Sequence, residues 1–460
     1  MKIGLGTLIQ QNPRTSYRTY DDETVIIYHD KKEMIRLNPV ASLAWNLVEN
    51  PIPFREVVDS VLATFDVDRV TASNDLDELF NTFMNYGLVC LDGSYANTIL
   101  SEQQVKGSLA IEQTVNVKTI GKTLRIPIHA ILEITENCNQ ACVHCYNEPD
   151  IVRNELSTDS ICVLLDELKS LGCLELTITG GDPFMRKDFW EIISYARKLK
   201  FSILLKSNGT LIDETIAKKL YSHCVTEVHV SIYSMDDKKH DAITGLKGSM
   251  KQTLCAIDRL MENGITVRVS CPVTQGTLDD VYPVKQYVDS IGSICGFDLI
   301  ITKKVNGDIR PVNLRLTDDD IGKIFEDKTL CGSIFSTDDV SSIRPDTLDI
   351  AFDPDDSICG AGVYLISVNA YGDVFPCIAW QQHAGNILDN GMTNIWHQSK
   401  VLNNLRKLKN KDLGECLTCN AITNCPRCPG VLYHETGDIS SKMDIMCLIA
   451  KNLNEKTTKI

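Results

Sequence analysis

The 460-residue chain has no apolar run of the length needed to span a membrane. Its opening residues, Met1-Lys-Ile-Gly-Leu-Gly6, lack the basic, apolar and small-residue regions of a signal peptide. A cytoplasmic location is therefore expected. Cations are in deficit: 46 Lys and Arg stand against 61 Asp and Glu, a net charge of −15. This speaks against nucleic acid as a main partner, because phosphate binding needs clustered positive charge. Neither a Ser–His–Asp set nor a phosphate-cradling loop is legible. Cysteine, in contrast, is plentiful at 18 residues. In a reducing compartment that many thiols point to metal binding or catalysis rather than disulfides. The length predicts two to four domains.

The densest thiol pattern is Glu136-Asn-Cys-Asn-Gln-Ala-Cys-Val-His-Cys-Tyr146. Cys138, Cys142 and Cys145 offer three thiolates in C-x3-C-x2-C spacing. A cysteine-ligated four-iron cluster normally has four cysteines, so three leave one iron open for a guest such as S-adenosylmethionine (SAM). The apolar run Ile131-Leu-Glu-Ile134 before the triplet predicts a buried strand, which puts the cysteines on the following loop. Such loops at the C-terminal ends of parallel strands are where α/β barrels place their chemistry. A zinc site or unrelated buried thiols is the alternative reading, although structural zinc usually recruits paired cysteines or mixed cysteine and histidine sets.

The spacing resembles the radical SAM superfamily. Strand candidates Leu174–Thr179, Ser202–Leu205, Glu227–Ile232 and Thr266–Ser270 alternate with helical stretches such as Ser160–Leu171 and Met250–Asn263, the mark of βα units. The expected fold is α/β, a partial (β/α)6 barrel over residues 127–335. Gly180-Gly-Asp-Pro183 follows the strand that ends at Thr179. Paired glycines let backbone approach a ligand closely, and the resemblance implies that Gly180, Gly181, Asp182 and Pro183 help hold the methionine moiety of SAM. It further implies polar contacts to SAM from Ser207, Asn208 and Ser231, whose competing reading is turn and cap chemistry. His144 stands where the family has an aromatic residue, and it and Tyr146 are the candidates to lie near the adenine.

The run Ser231-Ile-Tyr-Ser234 with His240-Asp-Ala-Ile-Thr-Gly-Leu-Lys-Gly-Ser249 is similar to the SPASM subgroup of that superfamily, which carries auxiliary clusters. The C-terminus reads Cys359-x12-Gly372-x4-Cys377, Cys416-x2-Cys419-x5-Cys425-x2-Cys428, then Cys447. It departs from the subgroup pattern by one residue in the penultimate gap. The resemblance assigns Cys416, Cys419, Cys425 and Cys447 to one auxiliary [4Fe–4S] cluster, and Cys359, Cys377 and Cys428 to the other. The upstream stretch Asp353-Pro-Asp-Asp-Ser357 has no cysteine, so the second cluster is expected to keep an open iron or to borrow Cys331, Asp353 or Asp355. Zinc at Cys416, Cys419, Cys425 and Cys428 is the remaining alternative. This domain is expected over 345–450, with 451–460 as a tail.

Residues 1–100 predict a separate winged-helix unit. Thr24–Tyr28 and Met34–Leu37 read as strands, Asn38–Val48 as a helix with Asn38 as N-cap, Phe54–Phe65 and Ala72–Tyr86 as two more, and Leu88–Leu91 as a returning strand. The third helix carries Ser73-Asn-Asp-Leu-Asp-Glu-Leu-Phe80, too acidic for a DNA-reading helix. The pattern Leu37-Asn-Pro-Val-Ala-Ser-Leu-Ala-Trp45 with Tyr86-Gly-Leu-Val89 resembles the peptide chaperone of pyrroloquinoline quinone biosynthesis, whose relatives recognise leader peptides. The family implies a leader that adds a strand to the sheet edge. Residues 101–126 read as a polar linker. In this order the modules resemble maturases of ribosomally made peptides, of the sactipeptide and ranthipeptide type. The resemblance implies hydrogen abstraction by a 5′-deoxyadenosyl radical and Cys-to-carbon thioether formation in a precursor peptide with a leader. It also implies an electron donor of flavodoxin or ferredoxin type. The alternatives are carbon–carbon cross-linking, epimerisation, or an iron–sulfur winged-helix regulator.

Overall fold

The computed structural model describes residues 2–29, 33–93, 111–112, 116–148, 153–326, 330 and 353–457. The chain divides into two units, Met1–Val117 with Lys200–Ser202, and the rest.

The first unit has two sheets around one core. Strands β1 (Leu8–Gln11), β5 (Ile52–Pro53) and β6 (Val89–Leu91) form one, in the order β5-β1-β6. The other runs β2-β3-β4-β7, from Thr15–Tyr20, Glu23–Tyr28, Glu33–Leu37 and Ile111–Glu112. Helix α1 (Pro39–Leu47) starts where expected, because the Asn38 side chain accepts from the Ala41 amide and Pro39 has no amide to leave unpaired. Helix α2 is Phe54–Thr64 and α3 is Arg69–Asn85. The third helix begins earlier than its apolar pattern suggests. Asp68 caps it by accepting from the amides of Val70 and Thr71. Trp45, Phe54, Phe80 and Phe83 are fully buried and meet edge to face at centroid distances of 5.7–6.2 Å, an arrangement the ring quadrupole favours. Strands β1 and β2 have no clear counterpart in the sequence pattern; β2, Thr-Ser-Tyr-Arg-Thr-Tyr, carries little apolar signal.

The stretch 101–126 contains more than a linker. Ile111–Glu112 is a strand antiparallel to β4, and Val117–Leu124 is a helix, α4. Val117, Ile120 and Leu124 give α4 an apolar stripe at helical spacing. Residues 101–110 lie outside the described residues.

The second unit is built on one nine-stranded sheet. Its order is β13-β12-β11-β10-β9-β8-β14-β15-β16. Strands β8 (His129–Glu133), β9 (Glu175–Thr179), β10 (Ser202–Ser207), β11 (Val225–Ser231), β12 (Thr266–Pro272) and β13 (Ile294–Asp298) are the six of the α/β core. Pairs β8–β9, β10–β11, β11–β12 and β12–β13 are parallel. Helices α5 (Thr158–Ser170), α6 (Phe189–Lys198), α7 (Glu214–Ser222), α8 (Asp237–Thr244), α9 (Ser249–Glu262) and α10 (Val281–Ser290) lie between them in the chain. This is the expected βα alternation. Strand β14 (Leu365–Val368) adds to the other side of β8 in parallel, followed by antiparallel β15 (Asp373–Phe375) and β16 (Gly385–Asn386). Among the described residues no helix is long and apolar enough to cross a membrane.

Candidate radical cluster site and auxiliary thiol groups

The cysteine loop leaves β8 at Ile134 and is strapped on both sides. On one side the amides of Gly181 and Asp182 donate to the carbonyls of Thr135 and Asn137, each at 2.8 Å. On the other, the amides of Ala141 and Val143 donate to the carbonyls of Thr244 and Ile243 at the end of α8, at 2.8 and 3.0 Å. The His240–Ser249 run thus serves the loop: Gly245 ends α8 at φ +68° and lies against Ala141. Arg186 braces the start of the loop. Its buried guanidinium donates to the carbonyls of Ile134 and Leu156 at 2.6 and 2.7 Å while paired two-fold with Asp188.

The two glycines bring the chain hard against the cysteine loop. A Cβ on Gly180 would sit 2.0 Å from the Thr135 carbonyl oxygen, and one on Gly181 would sit 2.3 Å from that of Asn137. Gly180 also holds φ at +140°, a region open mainly to glycine. Their close approach is to the cysteine loop. Asp182 is likewise committed. Its carboxylate is fully buried and accepts from Ser207 Oγ at 2.7 Å and from the amides of Asn208 and Phe184 at 3.0 Å. It latches the end of β9 to the end of β10. Pro183 opens the one-turn helix that follows.

Cys138, Cys142 and Cys145 are free thiols close enough to feel one another's charge. Burial pushes Cys142 up to about 12, with Cys145 and Cys138 adding to it. Cys145 is raised by burial and then by Cys138. A bound cationic centre reverses this and strips thiols of their protons. Among the described residues no three Cys, His, Asp or Glu side chains converge on a single ion position. In a four-iron cube each thiolate caps a different iron, and three thiols on one short loop that feel one another's charge fit that arrangement. Asn208 Nδ2 approaches Cys138 Sγ at 3.7 Å and donates to Asn139 Oδ1 at 2.8 Å. Gly180–Pro183, Ser207 and Asn208 therefore gather around Cys138. Ser231, at the end of β11, hydrogen-bonds Tyr233, whose hydroxyl lies beside Cys142, and Tyr146 turns its hydroxyl to Glu133 Oε1 at 3.0 Å.

Sequence reasoning missed three neighbours. Tyr233 stacks between His144 and His240, with centroids at 4.8 and 5.3 Å, and its hydroxyl is 4.0 Å from Cys142 Sγ. Burial lowers His144 to about 4. Glu133, at the end of β8, is pushed up to about 7, first by burial and then by Glu136. Glu155 Oε1 accepts from Thr135 Oγ1 and from the Glu136 amide, at 2.8 and 2.7 Å. The available signal was a glutamate inside the apolar run Ile131–Ile134 and a tyrosine two residues past a strand end.

The C-terminal thiols form two groups. Cys377 is raised by burial and then by Cys428 and Cys359, and Cys359 in turn feels Cys428. Cys425 feels Cys447 and Cys416, and Cys447 feels Cys416 and Cys419. Cys428 thus keeps company with Cys359 and Cys377. That grouping disfavours a zinc set that joins Cys428 to Cys416, Cys419 and Cys425. The turns explain the grouping. Gly372, at φ +84°, reverses β14 into β15 and delivers Cys377. Cys428 caps the helix Pro429–Thr436 by accepting from the Val431 amide at 3.4 Å. In the other group, Arg427 donates to Cys416 Sγ at 2.7 Å. Of the candidate fourth ligands for the three-cysteine group, Asp353 accepts from the Asp355 amide and Asp355 pairs with Lys411 at 2.7 Å. Cys331 lies outside the described residues.

Three family models match the chain: the radical SAM superfamily over residues 132–280, coenzyme PQQ synthesis protein D over 23–89, and the SPASM iron–sulfur cluster-binding domain over 359–420. The chain is 26% identical over 326 residues to the AdoMet-dependent heme synthase of Nitratidesulfovibrio vulgaris, covering 66% of this chain and 88% of that one. It is 28% identical over 326 residues to the mycofactocin maturase MftC of Mycolicibacterium smegmatis, covering 67% and 79%. Among solved structures it is similar to Streptococcus suis SuiB bound to its precursor peptide SuiA. The TM-score is 0.61 at 16% identity, with 95% of this chain and 99% of that one covered.

Proposed function

We propose that this chain, a radical SAM enzyme with a PqqD domain and a SPASM domain, is a maturase of a ribosomally made precursor peptide and forms Cys-to-carbon thioether cross-links in it. The radical SAM domain binds a [4Fe–4S] cluster and SAM, and the SPASM domain binds auxiliary iron–sulfur clusters. When bound, these groups supply a 5′-deoxyadenosyl radical and further electron-transfer centres. In this reading Cys138, Cys142 and Cys145 hold the first cluster, and the straps from Gly181, Asp182, Thr244 and Ile243 fix their loop. Tyr233 and His144 form an aromatic wall beside Cys142. Residues 1–100 bind the leader, which adds a strand to a sheet edge. The β4 edge is partnered by Ile111–Glu112, so a leader pairing there must displace that strand. A small flavodoxin or ferredoxin is the electron donor in this reading.

The observation that carries the proposal is the joining, in one chain, of a PqqD domain to a radical SAM core with two further thiol groups. The first measurement is iron, sulfide and zinc content after anaerobic reconstitution: about 12 irons are expected for three four-iron clusters. Next, incubation with a cysteine-containing peptide encoded beside this gene should yield product lighter by two hydrogens per cross-link, with the cysteine no longer alkylated. Product at unchanged mass with inverted residues, or a cross-link that leaves the cysteine free, replaces the thioether reading. Deleting residues 1–95 should weaken precursor binding without removing uncoupled SAM cleavage; unchanged affinity sinks the leader-recognition role. The likeness to heme synthases favours a second reading, a tetrapyrrole substrate. Binding of a tetrapyrrole with no binding of any precursor peptide decides for it.

A further inference from the structure

Trp380 is 1% exposed, yet its Nε1–H has no hydrogen-bond partner. Burying an indole N–H unpaired is costly, and buried tryptophans usually find an acceptor. The Trp380 amide donates to the Cys377 carbonyl at 3.1 Å. With Ala361 and Leu405 the indole forms a small core against which Cys359 and Cys377 pack. From the third side, a Cβ on Gly430, two residues past Cys428, would lie 3.1 Å from the Trp380 backbone nitrogen and Cβ. All three cysteine-bearing segments of this group therefore close around one tryptophan. The other auxiliary group has a different donor, the Arg427 guanidinium on Cys416 Sγ.

We propose that Trp380 Nε1–H donates an N–H···S hydrogen bond to a sulfur of the auxiliary cluster held by Cys359, Cys377 and Cys428, and that this bond raises the reduction potential of that cluster. The proposal rests on the assignment of those three cysteines to one cluster. A donor to sulfur stabilises the reduced, more negative cluster more than the oxidised one, and such bonds are among the protein's main means of setting cluster potentials. Trp380 is a positioning residue here: it acts through the cluster sulfur and touches no substrate. A neutral donor on one cluster and a cationic donor on the other would hold the two at different potentials.

The test is an anaerobic redox titration of the reconstituted full chain, read by voltammetry and by the electron paramagnetic resonance of each reduced cluster. Trp380→Phe keeps the ring and removes the N–H. With iron content unchanged, one couple should move to more negative potential and the others should stay. That couple should be the one that disappears when Cys359, Cys377 and Cys428 are all replaced by Ala. Trp45→Phe removes an equally unpaired buried indole N–H from the other unit and should move none. Unmoved couples in Trp380→Phe overturn the proposal. A shift confined to a couple that the triple variant retains overturns the hydrogen bond alone. Retention of every couple in the triple variant overturns the ligand assignment and the proposal with it. If Trp380→Phe does not take up iron, the unaltered chain decides: grown with 15N-indole tryptophan, its reduced cluster should show a hyperfine coupling to indole nitrogen, and absence of that coupling refutes the bond.

Discussion

The loop at Cys138–Cys145 and the span from Cys359 to Cys447 gather thiols in opposite ways. The first takes all three from one short loop and spends neighbouring elements on holding that loop still: Gly181 and Asp182 on one flank, α8 on the other. The second takes seven thiols from separated turns and helices and sorts them by tertiary packing, so that Cys428 leaves its sequence neighbour Cys425 and joins Cys359 and Cys377. A local motif can be read from spacing because chain length alone brings its members together. A distributed one needs the turns at Gly372 and Pro429 before its grouping exists.

The largest effects should come from breaking either region as a whole. Replacing Cys138, Cys142 and Cys145 with Ala should abolish SAM cleavage while about eight of about 12 irons remain. Replacing Cys416, Cys419, Cys425 and Cys447 should instead remove about four irons and leave uncoupled SAM cleavage in place. Cleavage that survives the first change refutes the assignment of the loop. Loss of all iron on the second would mean that the two regions do not fold independently, and the contrast between them would fail.

Much of the fold is legible in the residues themselves. The βα alternation, the N-terminal hairpin with three helices, and the Asn38 cap all follow from periodicity and cap chemistry. The parts that are not legible share a cause. Strand β2 is polar on its sequence, and β7 is two residues long and exists only because β4 offers an edge. Glu133 carries no motif, and Tyr233 stands in the Ser231–Ser234 run with no role of its own there; their place at the site comes from being the end of β8 and the stretch after β11. The purpose of Gly180–Gly181 is hidden for a related reason. Sequence shows that backbone must come close there, but only the fold shows that what comes close is Thr135–Asn137.

A middle-sized effect sharpens the comparison by pH. Glu133 is raised from the usual 4.5 to about 7, so the folded cluster-free chain keeps a proton that the unfolded chain has already released. Its contribution to stability is greatest below pH 4.5 and is lost as the pH rises through 7. The total is about 3 kcal/mol to order of magnitude. Glu133→Gln should flatten that part of the profile, measured as the urea midpoint against pH under anaerobic conditions. An unchanged slope between pH 4.5 and 7 would show that Glu133 ionises normally. The C-terminal thiols sit on other elements than β8 and its loop, so replacing them should leave the slope intact.

The smallest effect separates holding from binding. Ser207 was expected to touch SAM, yet its hydroxyl donates to Asp182 and accepts from the Gly209 amide. If the latch is its role, Ser207→Ala costs about 1–2 kcal/mol of stability, because a buried carboxylate loses one of its donors while the amides of Asn208 and Phe184 remain. SAM affinity should then change little, since Cys138 and its loop keep their straps. If it contacts SAM as well, the urea midpoint falls and SAM affinity falls with it. The midpoint reads the latch and SAM affinity reads the contact. Together they show whether the end of β10 serves the loop from behind, as the Asp182 latch argues, or faces the ligand itself.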